Sequence, residues 1–194
     1  MTLSTLFATR RSPEAFAFGR FTTQDLANWC WIAAGQTATV GGIYEGRTYP
    51  SGGALFPCDL FLALDAGPDW DAGTYLYQSS THELVLMGRE PITSVAETTP
   101  QAELFEYSAV VWIIVASLWR NRFKYGQRAL RFTMIEAGHM AQNICLGVRT
   151  SGHEARCVGG YYDDELADLL HFDSLHEVPI YMIVSGIPAT TSLT

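Results

Sequence analysis

The run Val110-Val111-Trp112-Ile113-Ile114-Val115-Ala116-Ser117 is apolar up to its last residue. A strand with no polar side of its own cannot turn one face to water, so it must be covered on both faces. The run is also far too short to cross a membrane as a helix. It therefore predicts the fully buried central strand of a sheet.

Helices and strands alternate on both sides of this run. We predict a helix from Thr22 or Thr23 to about Ala34, and a second, long helix over 128–150 that ends at Gly152. Further strands are predicted over 58–64, 73–77, 82–87, 155–158 and 178–184, with short helices within 92–106 and over 163–170. Residues 35–53 show little periodicity and are expected to form a long loop. The interleaved pattern predicts one α+β sandwich that spans residues 1–194.

Composition excludes several classes of protein. The formal net charge is -8 and no basic block is present, which argues against a nucleic-acid partner. No segment has the length of a membrane helix, and no basic stretch precedes the apolar residues at the N-terminus, so we expect neither a membrane anchor nor a signal peptide. The four cysteines are widely spaced and are predicted to be reduced core residues of a cytoplasmic protein rather than metal ligands: Cys30, Cys58, Cys145 and Cys157.

Two segments have the residue types that anionic or flat ligands need. Arg10-Arg11-Ser12 offers two guanidiniums and a hydroxyl, which suit a phosphate, although paired arginines can also be merely solvated. In the segment from Pro50 to Pro57, two glycines allow the backbone to approach a ligand closely. That segment lacks the Lys-Ser/Thr ending of a nucleotide P-loop, and a plain turn is its alternative interpretation.

Lys124 is the only lysine of the chain, and it precedes Tyr125. An ammonium beside a phenol favours the phenolate, which can then act as a base. The alternative is that one lysine persisted by chance in an arginine-rich composition.

The long predicted helix places Glu136 and His139 on one face, as in di-iron bundles, but the chain has no second Glu-x-x-His. We therefore predict no metal site. The strip formed by Glu136, His139 and Asn143 is expected to face an interface or a ligand edge, with a packing role as the alternative for His139.

Gly159-Gly160 follows a predicted strand. Glycines at a strand end present backbone N–H groups at close range to a cofactor ring, although the same pair can be an ordinary turn.

Taken in order and spacing, these segments resemble the SagB-type thiazole/oxazole dehydrogenases, a branch of the nitroreductase-like flavoproteins. The resemblance covers nearly the whole chain and is most specific over residues 50–57, 136–143 and 159–163. It implies a nitroreductase-like α/β sandwich, with a mostly antiparallel sheet flanked by helices, in an interlocked homodimer. It further implies that FMN is the cofactor.

The resemblance also assigns roles to residues. Arg10, Arg11 and Ser12 would hold the FMN phosphate and ribityl chain. Pro50, Ser51 and Gly52 would line the flavin ring, from the partner subunit, and the Gly159-Gly160 backbone would face flavin N5. The Lys124-Tyr125 pair would be catalytic: Tyr125 takes the Cα proton of an azoline ring in a peptide while the hydride goes to the flavin.

Two departures and two alternatives accompany this assignment. Glu14 stands where family members commonly carry a basic residue, and the basic C-terminal extension of many nitroreductases is missing, so Arg128 or Arg131 is a candidate replacement in the phosphate contact. A cyclase or carrier protein is an expected partner. Tyr44, Tyr49 and Trp70 lie in loop-like regions, where they could be exposed for peptide engagement or could equally be core residues. The alternatives are an NAD(P)H-dependent nitroreductase or flavin reductase, and a catalytically silent scaffold subunit.

Overall fold

The computed structural model describes residues 1–40, 44–173 and 176–189. The helices are α1 (Leu3–Thr9), α2 (Thr23–Ala34), α3 (Ile92–Ala96), α4 (Trp119–Tyr125), α5 (Ala129–Gly147) and α6 (Asp163–Leu169). The strands are β1 (Phe16–Ala17), β2 (Gln36–Val40), β3 (Tyr44–Arg47), β4 (Cys58–Leu64), β5 (Gly73–Gln78), β6 (Glu83–Gly88), β7 (Val110–Ala116), β8 (Glu154–Val158) and β9 (Val178–Pro188). Single turns of 3-10 helix occur at Gly52–Ala54, Ala102–Phe105, Gly126–Arg128 and Val148–Ser151.

The predicted central strand is confirmed. In the seven-stranded sheet, whose order is β1-β9-β7-β4-β5-β6 with β8 paired to β9, strand β7 lies between β9 and β4, and every pairing is antiparallel. All seven residues of β7 are completely buried. Trp112 and Ile114 pack into one core with α2 and α5, whereas Ile113 and Val115 pack into a second core with α3 and α6. The sheet is therefore covered on both faces, as the apolar run requires.

The two principal helices begin and end as their sequences predict. Helix α2 starts with a capping box, in which the Thr22 hydroxyl accepts from the Asp25 N–H and the Asp25 carboxylate accepts from the Thr22 N–H. Helix α5 continues into a 3-10 turn that Gly152 ends at φ 82°, a left-handed conformation that favours glycine. Its predicted apolar face is correct for Ala141 and Ile144 but wrong for Ile135, which is exposed. In that turn of α5, other residues than Ile135 fill the buried side of the helix.

The predicted loop over 35–53 is wrong in its first part. Strands β2 and β3 form an antiparallel hairpin there, with Gln36 opposite Arg47. The threonines and valine of β2 have the β-branched side chains that favour strands, a signal that the absence of alternation obscured. Residues 41–43 lie outside the described part of the chain. The sequence also gave no clear sign of α1, β1 or α4, which are short.

Among the helices of residues 1–40, 44–173 and 176–189, none combines the length and the apolarity needed to cross a bilayer.

Candidate active site

Lys124 and Tyr125 lie against the segment that carries Gly52 and Gly53. A Cβ atom built on Gly53 would fall 2.6 Å from the Tyr125 hydroxyl and 2.7 Å from Lys124 Nζ. The two polar atoms therefore flank one point above Gly53. The structure thus joins two segments that lie about seventy residues apart in the sequence and that the sequence marked separately.

The side chains of this pair are held by packing rather than by hydrogen bonds. The Tyr125 ring meets the Phe132 ring edge to face, with centroids 4.7 Å apart, and Lys124 Nζ lies 5.5 Å from the Tyr125 ring centroid. Within the described ranges, neither the ammonium nor the phenol has a hydrogen-bond or ion-pair partner in the protein. Both polar groups are therefore available to a ligand bound above the glycines.

The segment below the pair has a strained backbone. Gly53 has φ 69°, and the two non-glycine residues Ala54 and Phe56 have φ 54° and 45°. Such conformations cost about 1–2 kcal/mol per non-glycine residue and persist where the surroundings impose them, often at ligand sites. The Ser51 hydroxyl helps to impose this one, because it accepts a hydrogen bond from the Phe56 N–H at 3.0 Å.

Helix α5 fixes the same segment from below. Asn143 donates from Nδ2 to the carbonyl oxygen of Thr48 at 3.1 Å. The Glu136 carboxyl is buried beside Ser51, and one of its oxygens has no partner within the described residues. Burial raises the pKa of Glu136 to about 7, against the opposing effects of the Ser51 hydroxyl, the Arg47 guanidinium and the Cys58 N–H.

The predicted polar strip is therefore split between two environments. Glu136 points into the protein, Asn143 is half-buried under the loop, and only His139 is exposed. The expectation that all three face an interface or ligand edge is wrong for Glu136. The helical spacing was correct, but burial of a carboxyl depends on the loop packed over it, which lies far away in the sequence.

Arg10, Arg11 and Ser12 form a second group, away from Lys124. Arg10 donates to the Ser12 hydroxyl at 3.3 Å, and Arg11 donates to the carbonyl oxygens of Ala8 and Arg10. All three residues follow α1, which the sequence pattern did not reveal. They make no contact with residues 50–53 among the hydrogen bonds of the described chain.

Two further arginines, not singled out from the sequence, reach the same N-terminal segment. Arg149 donates from Nη2 to the Thr9 hydroxyl at 2.8 Å and forms an ion pair with Glu154, while its buried Nε has no partner among the described residues. Arg156 donates to the carbonyl oxygen of Pro13 at 3.2 Å. The group is therefore richer in positive charge than Arg10-Arg11-Ser12 alone.

Gly159 and Gly160 belong to this second group, because they follow β8, the strand that carries Arg156. Both are exposed, and a Cβ on Gly159 would meet nothing within 4 Å. The Gly160 carbonyl is fixed by the Thr99 hydroxyl at 2.7 Å. Outside the sheet ladder, no acceptor for the N–H groups of Gly159 and Gly160 is found in the described chain.

The two groups are separated along α5. Glu136 lies with Lys124 and Tyr125, whereas Arg149 lies with Arg10, and thirteen residues of helix and helix end place them about 20 Å apart. Arg128 and Arg131 lie at the Lys124 end of α5, so within one chain they are far from Arg10, and their part in the phosphate contact stays a prediction. Glu14 is exposed and has no ion pair with another described residue.

Of the three aromatic residues considered for peptide engagement, the two whose side chains the structure describes are not fully exposed. Tyr49 is buried, with its ring against Phe56 at 5.9 Å, because it lies beneath the strained segment rather than on its surface. Trp70 is half-buried and stacks on Phe21 at 5.3 Å. The side chain of Tyr44 lies outside the described part.

The class of protein to which this chain belongs follows from a comparison with protein families. The family model described as "Nitroreductase family" matches residues 8–187, and the chain belongs to this family of oxidoreductases. The predicted nitroreductase-like α+β fold is thereby confirmed.

Particular relatives are similar to the chain to different extents. The nitroreductase-named protein MJ1384 of Methanocaldococcus jannaschii is 27% identical over 178 residues, which cover 91% of this chain and 86% of that protein. The microcin B17-processing protein McbC of Escherichia coli is 30% identical over 152 residues, which cover 72% of this chain and 54% of McbC. The matched region thus spans about half the length of McbC.

Solved structures give the same fold. The Escherichia coli microcin synthetase McbBCD complex, with truncated pro-MccB17 bound, contains a chain that matches with a TM-score of 0.80 at 23% identity, covering 97% of this chain and 73% of that one. A nitroreductase-like protein of Desulfovibrio desulfuricans in complex with FMN matches with a TM-score of 0.67 at 14% identity, covering 97% and 87%.

Proposed function

We propose that this protein is an FMN-dependent dehydrogenase of the SagB type, which oxidises thiazoline or oxazoline rings in a peptide to thiazoles or oxazoles. The observation that carries the proposal is the pair of free polar groups, Lys124 Nζ and the Tyr125 hydroxyl, above Gly53. Identity of 30% to a protein named for microcin B17 processing supports it. In this proposal residues 1–194 act as a single flavin-binding domain.

The side chains of the second group fit the phosphate end of FMN. Arg10, Arg11 and Ser12 offer charged and hydroxyl donors, and Arg149 adds an unpartnered buried N–H beside them. The N–H groups of Gly159 and Gly160, which follow β8, would bind at the flavin ring. Pro50, Ser51 and Gly52 would line the ring, where the absence of a Cβ on Gly52 lets a flat group approach. When bound, FMN supplies the two-electron acceptor for the hydride.

The distance between the Lys124-Tyr125 pair and the arginine group at Arg10 supports a site made from two subunits. One copy would contribute Arg10–Ser12 and Gly159-Gly160, and the other would contribute Pro50–Gly52 together with Lys124 and Tyr125. Helix α5 also exposes an apolar face near the second contribution, which a homodimer would bury: Leu130, Met134 and Ile135. Lys124 and Tyr125 then reach the flavin from the same subunit as the Pro50 segment.

The protein's own groups account for the proton. Aromatisation of an azoline removes a Cα proton as well as a hydride, so a base must stand beside the ring. The Tyr125 phenolate accepts that proton, and the Lys124 ammonium stabilises the phenolate. Phe132 packs against the Tyr125 ring and holds it in place. No imine between Lys124 and substrate is required.

The peptide and its partners follow from the same proposal. The McbBCD structure contains a truncated pro-peptide, and we infer by similarity a peptide substrate for this chain, with a cyclase or carrier protein as partner. The four free cysteines agree with a reducing cytoplasmic location.

The second candidate function is reduction of nitro compounds or flavins with NAD(P)H. The similarity to MJ1384, which covers 86% of that protein, favours it. In that case Lys124 and Tyr125 would be structural. A silent scaffold subunit is the third candidate, and the bound cofactor separates it from the other two. We expect the purified protein to be yellow and to release FMN on denaturation. A colourless protein that cannot be reconstituted with FMN would contradict both enzymatic candidates.

A further inference from the structure

Cys145 and Cys157 lie side by side, with their Sγ atoms 3.8 Å apart. Cys145 is on the buried face of α5 and Cys157 is half-buried on β8. The sequence predicts four separate core thiols. The structure instead brings two of them into contact, because the chain reverses at Gly152 and β8 returns along the helix.

The reversal between the two cysteines is firmly held. Gly152 takes the left-handed conformation that ends the helix, and its N–H donates to the Arg149 carbonyl at 3.1 Å. The side chain of Arg149 also pairs with Glu154 at the start of β8. The contact between the sulfurs is therefore a fixed feature of the fold rather than a meeting of two mobile ends.

We propose that Cys145 and Cys157 form a reversible disulfide when a hydroperoxide reaches the protein, with Cys157 as the thiol that reacts first. The sulfurs must close to about 2.05 Å, which rotation of side chains on a contacting helix and strand can supply. Cys157 is the more accessible of the two, whereas Cys145 is almost fully buried. The other cysteines, Cys30 and Cys58, are completely buried and have no cysteine beside them in the described chain.

The surroundings make the two thiols unequal. The hydrogen bond from Cys145 lowers the pKa of Cys157, and the Tyr181 hydroxyl and the Arg10 guanidinium act in the same direction against burial. The same hydrogen bond, together with burial, raises the pKa of Cys145. Burial alone raises the pKa of Cys30. A thiolate is the nucleophile towards peroxide, so this inequality suits Cys157 to attack and Cys145 to follow.

The chemistry balances in two steps. The Cys157 thiolate attacks one oxygen of hydrogen peroxide, the O–O bond breaks, and a sulfenic acid forms while the other oxygen leaves as hydroxide and takes a proton to become water. The Cys145 sulfur then attacks the sulfenic sulfur, its proton leaves with the hydroxyl as a second water, and the S–S bond forms. The two thiols together lose two electrons to one peroxide. A dithiol reductant reverses the reaction.

The test treats reduced, purified protein with a small excess of hydrogen peroxide, then unfolds it, alkylates its thiols and measures intact and peptide masses. Wild type should keep two alkylatable thiols of four and yield one cross-linked peptide pair, which dithiothreitol abolishes. Cys145→Ser should stop at a Cys157 sulfenic acid that dimedone traps, and Cys30→Ser is the matched control that should still form the bond. Four thiols remaining in wild type, or modification of Cys30 and Cys58 as fast as Cys157, would overturn the proposal.

The thiol masses do not depend on a flavin. A protein that forms the disulfide but binds no FMN would refute the proposed function and leave the disulfide proposal standing.

Discussion

The Lys124 ammonium lies 5.5 Å from the centre of the Tyr125 ring, and both side chains end above the strained Gly52–Ala54 turn. Adjacent residues on a helix normally diverge, since each step turns by about 100°. Here α4 ends at Tyr125, and Gly126 takes the left-handed φ of 54° directly afterwards. The end of the helix therefore allows the two neighbours to converge on one point.

We expect Tyr125→Phe to slow azoline oxidation by about 100- to 10,000-fold, the usual contribution of a positioned base. Lys124→Ala should slow it as well, but less, since the phenol remains. Both variants should still bind FMN. Arg122→Ala is the matched control, because it removes an exposed cation from the same helix, and it should leave turnover unchanged. Stopped-flow measurement of the reductive half-reaction, in which the azoline peptide reduces the flavin, gives these rates. Wild-type turnover in both variants, with flavin bound, would refute the assignment of the base.

Gly53→Ala should abolish turnover at a modest cost in stability. The new Cβ would stand 2.6 Å from the Tyr125 hydroxyl and 2.7 Å from Lys124 Nζ, so these groups must move away. Gly152→Ala is matched to it, since Gly152 has a similar positive φ but its Cβ would meet nothing within 4 Å. Both variants should lose about 1–2 kcal/mol of stability from backbone strain. Unfolding curves and turnover check the pair. An active Gly53→Ala would mean that the position of the two side chains does not matter.

Glu136 should make stability depend on pH. Its folded pKa, raised to about 7 by burial, exceeds the unfolded value, so the native state holds its proton more tightly. The contribution of the protonated Glu136 carboxyl to folding stability is present in full below the unfolded pKa and is lost as pH rises through about 7. Glu136→Gln should therefore be more stable than wild type at pH 8, by up to about 3 kcal/mol, with the difference shrinking towards pH 5. Urea unfolding at several pH values measures this. Glu97→Gln, at an exposed carboxyl, should show no such trend.

A mixed dimer tests whether two subunits build one site. Arg10→Ala and Tyr125→Phe should each be inactive alone, the first for want of bound FMN. If the phosphate group and the base come from different subunits, random pairing of the two variants restores about a quarter of all sites. If both come from one chain, co-expression restores none. Turnover of the co-expressed dimers, measured without selecting the mixed pairs, decides between these outcomes.

The fold was largely predictable from local pattern, whereas the site was predictable only in its parts. Some elements are predictable from a few neighbouring residues. They are the apolar run over β7, the capping box at Thr22 and the helix end at Gly152. The convergence of Tyr125 on Gly53 and the contact of Cys145 with Cys157 depend on how distant elements pack, which no local pattern encodes. Burial of Glu136 is of the same kind, because a helical period shows which residues share a face but not which loop covers it. Arg149 and Arg156 belong to no sequence motif that would have marked them as part of a site.

Mixing FMN-loaded protein with an azoline peptide in the absence of oxygen shows whether the peptide itself reduces the flavin. We expect the yellow flavin absorption to disappear in a single turnover and the peptide to become lighter by two hydrogens. In Tyr125→Phe the flavin should bleach far more slowly. Flavin that stays oxidised with the azoline peptide, but is bleached rapidly by NADH or NADPH and turns yellow again when a nitro compound is added, would refute azoline oxidation and establish the nitroreductase activity instead.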